Sequence, residues 1–319
     1  MAALPSSGYD VILNVVRKLG RSDIGVPSLT MVKRSLNALL RKFVRAEGPI
    51  VAAHKYAFKR ADLVRMLNIP SGTKVGRTVL EWDSYLGVNL DCLYHAWPEL
   101  ACRNNEVAAY DGEEHDRSRL SRSSLSWATA SGQFLINPTA AQLRALPEGS
   151  FAVVLPACSK PDPFGRQWGN KLMWLPLRYG RDYNAAAALL KLELLCPVAG
   201  EARLTSPLFA AAPGVPLGCN QVSRVLRAML THVVGPREAL KYSPHSFRSF
   251  LATQLRACGR SHPDIQAVCR WLVPESVKIY AAMHSDIIHA ADIPDVHGHE
   301  AALTLCADLH VDIEPCSLV

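Results

Sequence analysis

Apolar residues recur at helical spacing along much of this chain. Val11, Ile12, Val15, Val16 and Leu19 predict a short helix within residues 1–24, broken by Gly25 and Pro27. Ser28 then caps a longer helix to about Ala46, with Leu29, Val32, Leu36, Leu39, Leu40 and Phe43 on one side. Further helices are predicted over Phe58–Leu67, Thr78–His95, residues 184–199 and Asn220–Val234. The Ala/Leu-rich run at 184–199 suits core packing, and Gly235-Pro236 closes the last of these. Residues 111–127 and 200–218 read as loops. Between them the period shortens, and Gln133–Ile136, Phe151–Pro156 and Lys171–Pro176 predict short strands separated by turn signals. The expected fold is therefore mainly α with a small antiparallel β-sheet, an α+β arrangement.

The densest chemistry lies in Lys241–Met283. Pro244 suits the start of a helix running Ser246–Ala257, stopped by Gly259. His245 and Arg248, three apart, fall on one side of its first turn. A second helix, Pro263–Leu272, brings Trp271 at its end. Beyond Pro274 a third, Glu275–Met283, carries Tyr280. A cation, an imidazole, an indole donor and a phenol so arranged suit a phosphodiester. Arginine grips the oxyanions with a planar fork, histidine moves a proton, and tyrosine attacks phosphorus.

Composition narrows the partners. The 319 residues carry a net charge of +7, which favours a polyanion. Beyond Lys278 there is no Lys or Arg, whereas Asp286, Asp292, Asp295, Glu300, Asp308, Asp312 and Glu314 make the tail acidic. Lys33, Arg34, Arg41, Lys42 and Arg45 line the polar side of the second helix, and Arg224 and Arg227 lie on the Asn220–Val234 helix; all seven are candidate DNA contacts. The nine cysteines are scattered singly, as small buried thiols of a reducing compartment are. His297-Gly298-His299 lacks the further ligands of a metal site, so no metal is expected. No apolar run approaches the roughly 20 residues of a membrane span, and no signal pattern opens the chain. The expectation is an intracellular protein, nuclear if the source is eukaryotic.

The Lys241–Met283 stretch resembles the C-terminal signature of the tyrosine recombinase, or phage integrase, family. There a His-x-x-Arg helix start is followed by a His or Trp and, nine residues on, by the nucleophilic Tyr. Trp271 and Tyr280 keep that interval. Arg270-Trp271, in place of the bacterial Gly-His pair, is closer to enzymes of eukaryotic mobile elements. Arg103-x-x-Glu106 resembles the family's first block, an Arg and a Glu on a buried helix. Ser159-Lys160, in the turn after Phe151–Pro156, resembles its β-hairpin lysine, with Lys171 as runner-up. Ser206-Pro207-Leu208-Phe209 resembles its short turn before the next helix.

The resemblance implies an integrase-like catalytic domain over residues 49–285. Ahead of it lies a short helical segment, residues 1–48, where relatives carry a core-binding domain. An acidic tail follows, 286–319, with a docking helix at Glu300–Leu309. It implies the catalytic set Arg103, Lys160, His245, Arg248, Trp271 and Tyr280, strand cleavage through a 3′-phosphotyrosyl link, and no cofactor. Double-stranded DNA and further copies of the chain, as a dimer or tetramer, would be the partners. Two alternatives remain open: a type IB topoisomerase-like nicking-closing enzyme, and a catalytically silent DNA-binding protein derived from a mobile element.

Overall fold

In a computed structural model, residues 56–110, 112–116, 119–156, 171–272, 274 and 276 are described. The predicted helices before residue 56, the third helix carrying Tyr280 and the acidic tail lie outside them. The architecture is helical with small antiparallel sheets, as expected for an α+β chain. No helix of the described residues is long and apolar enough to cross a membrane.

The chain enters through α1 (Arg60–Leu67) and a two-residue hairpin, β1 (Lys74–Val75) with β2 (Thr78–Val79). This hairpin corrects the helix expected from Thr78. Gly76, with φ 61°, makes the tight turn. The Trp82 indole then donates to the Ile69 carbonyl at 2.8 Å and folds the segment back. The helix, α2 (Tyr85–Leu100), starts only where Ser84 caps it by accepting from Gly87 N at 3.0 Å. Only glycine fits at 87, because a Cβ there would sit 1.7 Å from the Glu81 carbonyl oxygen. Helix α2 is buried along most of its length and packs on α5 (Ala185–Leu195), which Asn184 caps.

The main sheet has order β4–β3–β5–β6, all antiparallel: β3 (Leu125–Ala128), β4 (Phe134–Leu135), β5 (Phe151–Val154) and β6 (Met173–Pro176). Its register places Leu125, Trp127, Ala152, Val154 and Leu175 in the large core, while Ala128, Phe151, Val153 and Trp174 form a second cluster. This is the period-2 alternation of a sheet buried on both faces. Three of its strands match the sequence expectation. β3 does not, since Leu125-Ser126-Trp127-Ala128 is short, holds a serine and follows a run of serines and arginines.

Residues 200–218 are not a plain loop. They hold a short helix, α6 (Ala202–Thr205), and a hairpin, β7 (Ala210–Ala212) with β8 (Val215–Pro216). Between α2 and β3 lie a helical turn, α3 (Asn104–Val107), and a 3-10 turn, Arg122–Ser124; α4 (Ala140–Arg144) joins β4 to β5. Helix α7 (Cys219–Ala239) is interrupted at Gly235, where φ 80° and ψ 162° leave the helical region. Helices α8 (His245–Ala257) and α9 (His262–Val268) follow. Helix α9 is shorter than expected, leaving Trp271 in the turn beyond it. The described cysteines are free thiols; Cys92, Cys102, Cys196, Cys219 and Cys269 are buried.

Candidate phosphate site

Helix α8 is fixed by its aromatic side. Phe247 stacks on Trp97 at 4.7 Å and meets Phe58 at the same distance. Ser243 and Ser246 close the turn into the helix, with Ser243 N donating to Ser246 Oγ at 3.0 Å. That anchoring carries Arg248 inward. Its Nη1 donates to the Ala101 carbonyl at 2.7 Å and its Nη2 to the Cys269 carbonyl at 2.6 Å. Arg248 thus clasps three separate segments and is 1% exposed. The Trp271 ring lies 5.8 Å from its guanidinium carbon, a cation–π contact. Trp271 itself is buried with Leu251, Leu255 and Ile265 between α8 and α9.

Arg103 arrives from the other side. Helix α2 ends at Ala101 in a left-handed conformation, and the Trp97 indole turns back to the Cys102 carbonyl at 2.9 Å. Of the pair expected on a buried helix, Glu106 is buried on the one-turn α3 and Arg103 stands at its N-cap. Arg103 and Glu106 form an ion pair: Arg103 Nη1 donates to Glu106 Oε1 at 3.0 Å, and Arg103 N to Oε2 at 3.1 Å. The Arg103 side chain is 25% exposed and that of Glu106 only 3%.

A third guanidinium completes the cluster. Arg270 Nη2 donates to Glu106 Oε2 at 2.7 Å and to Cys102 Sγ at 3.5 Å. Its backbone has φ 52°, a left-handed value that costs a non-glycine residue roughly 1–2 kcal/mol. Nothing in the sequence signals this role beyond the departure from Gly-His at that place. Among the described residues no acceptor meets Nε of Arg248 or Nε of Arg270.

The charges act on one another. Burial, and then the Arg248 and Arg103 guanidiniums, push His245 down to about 4, so the imidazole is neutral at pH 7. Burial lowers Arg248 to about 10, with Arg103 and Arg270 pushing the same way and Glu106 opposing. Burial would raise Glu106, but Arg270, Arg248 and Arg103 outweigh it and hold the carboxyl below its ordinary value. Burial raises the Cys102 and Cys269 thiols to about 12, so neither is a nucleophile at neutral pH. Three guanidiniums against one carboxylate leave an excess of positive charge beside a neutral imidazole. Such a site takes an anion with several acceptor oxygens.

The structure thus brings together Arg103, His245, Arg248 and Trp271. Lys160 and Tyr280 lie outside the described residues, as do Lys33, Arg34, Arg41, Lys42 and Arg45. Lys171 is exposed, just ahead of β6. Arg224 is exposed on α7. Arg227 donates from Nη1 to the Ala239 carbonyl and from Nη2 to the Tyr242 carbonyl at 2.9 Å. It fastens α7 to the turn ahead of α8.

No protein-family model matches the chain, and no curated protein matches it. Among solved structures it is similar to XerA recombinase, at 12% identity and a TM-score of 0.44, over 94% of this chain and 81% of that one. A likeness at that level carries no weight for function, which rests on the side chains above.

Proposed function

We propose that this chain cleaves and rejoins DNA strands as a tyrosine recombinase, in integration or recombination of a mobile element. One observation carries this: Arg103, far in sequence from His245 and Arg248, lies close enough to them that both guanidiniums depress the imidazole. A phosphodiester oxygen taking up those positive charges would relieve that depression, so His245 gains basicity as DNA binds. In this reading Tyr280 Oη attacks phosphorus and gives up its proton towards His245. The phosphorus–O5′ bond breaks, and Lys160, or Lys171, protonates the departing 5′ oxygen. Arg103 and Arg248 stabilise the charge that develops on the non-bridging oxygens. Trp271 packs Arg248 in place and donates one hydrogen bond. A second 5′ hydroxyl reverses the step on a new partner. Arg224 remains a candidate for the flanking backbone.

One observation favours the silent DNA-binding alternative: Arg248 is 1% exposed, with both terminal nitrogens on backbone carbonyls. A nicked suicide duplex separates the two. The parent should accumulate a covalent protein–DNA adduct that Tyr280→Phe does not form. A parent that binds the duplex without any adduct overturns the enzymatic reading.

A further inference from the structure

We propose that Arg270 is a positioning residue of this site, locking the Glu106 carboxylate so that Glu106 in turn aims Arg103 at the phosphate. The inference rests on the phosphodiester reading and adds a residue which that reading does not use. One carboxylate serves two guanidiniums, an oxygen each: Oε1 accepts from Arg103 at 3.0 Å and Oε2 from Arg270 at 2.7 Å. Exposure is graded across the three side chains, at 25% for Arg103, 3% for Glu106 and 5% for Arg270. Arg103 therefore faces outward while Arg270 lies behind the carboxylate and acts through it. The left-handed backbone at Arg270 is one that glycine adopts without strain. The backbone cost of an arginine there is offset by its bond to a partner 164 residues back in the chain.

Without Arg270, the buried Glu106 would depend on Arg103, the group an incoming phosphate competes for. With Arg270, the carboxylate stays ionised and fixed while Arg103 turns its remaining donors outward. The charged and titratable groups facing Glu106 are Arg103 ahead of α3, Arg248 on α8, Arg270 after α9 and the Cys102 thiol. Loss of Arg270 removes the nearest of the opposing charges, so Glu106 should protonate at higher pH.

The test uses the full chain with the nicked suicide duplex, together with carboxyl ¹³C NMR of Glu106. Glycine suits the backbone, so Arg270→Gly should fold. Its cleavage rate should fall on the order of 10–100-fold, the range seen when the partner of a ligating side chain is removed. The acid limb of its rate and the Glu106 titration should both move to higher pH. Arg270→Lys should restore part of the rate, and it carries the comparison should Arg270→Gly not fold. In an Arg103→Ala background, removal of Arg270 should change the rate less than about twofold, since the two act as one unit. Equal losses in both backgrounds with an unmoved pH profile would overturn the assignment. Should the parent form no adduct, the phosphodiester reading fails instead. The Glu106 titration then decides alone: a rise in Arg270→Gly supports the lock, and no change overturns it.

Discussion

Two buried clusters in this protein are built from the same parts, arginines around one glutamate, and they differ in what they leave open. In the first, Glu193 on α5 accepts from Arg122 Nη1 at 3.1 Å and from Arg203 Nη1 at 2.7 Å. Arg203 also donates to the carbonyls of Val198, Arg122 and Leu125. All three side chains are 4% exposed or less. The second cluster sets Arg103 and Arg270 on Glu106, with Arg248 alongside, but Arg103 reaches solvent and a neutral imidazole stands next to it. A sealed triad ties α5, β3 and α6 together and offers a ligand nothing. An open one holds unneutralised positive charge at the surface. Both pair one glutamate with two arginines; access, a third guanidinium and the imidazole separate a staple from a site.

The largest effect is expected in the sealed cluster. Glu193→Ala leaves two desolvated guanidiniums without their anion, a change that costs about 3–5 kcal/mol. Urea denaturation should show the midpoint collapse. A loss below about 1 kcal/mol would mean that water reaches the triad, removing the contrast.

Next comes Arg103→Ala in the open cluster. Glu106 keeps Arg270, so no carboxylate is orphaned, and stability should change by less than about 1 kcal/mol. Adduct formation on the suicide duplex should fall about 10²–10³-fold, as for loss of one donor to a developing oxyanion. A stability loss like that of Glu193→Ala, without loss of adduct, would make Arg103 a staple as well.

Acid should also tell the clusters apart. His245 titrates near 4 when folded and near 6.5 when unfolded, so between those values the unfolded chain binds more protons. Its contribution is complete above the unfolded value and is lost as the pH falls through that window, about 3 kcal/mol at most. His245→Asn should flatten that slope. His95, raised by its contacts with Asp91 against the effect of burial, titrates in the opposite sense. The difference between parent and His245→Asn isolates the site. Since Glu193 and its partners include no histidine, the sealed cluster contributes nothing to that difference. Adding a DNA duplex should raise the His245 transition, because a phosphate offsets the two guanidiniums.

The open cluster was largely legible in the sequence and the sealed one was not. Arg103-x-x-Glu106 and His245-x-x-Arg248 are local spacings, and their side chains meet as such spacings allow. Glu193 sits inside a Leu-rich run, and its partners lie 71 and 10 residues away, a distance at which periodicity is mute. Arg270 escaped for a related reason. Its role follows from a left-handed backbone and a partner 164 residues back, neither of which has a spacing signature. Among the elements, the helix from Thr78 was over-extended because β2 is only two residues long.

The smallest effect completes the series with the same chemistry at the surface. Arg60 Nη2 meets Asp182 at 3.4 Å, with side chains 28% and 46% exposed. Both side chains reach solvent, so the Coulomb gain is screened and offset by the entropy of holding the pair in one geometry. Arg60→Ala should change stability by less than about 0.5 kcal/mol and should lose even that in 1 M salt. Glu193→Ala should keep its cost in the same salt, because ions do not enter the triad. Parallel melts of the two variants at low and high salt therefore measure burial directly. If both responded to salt alike, the sealed cluster would be open to solvent, and access could no longer be what distinguishes the Arg103 site from it.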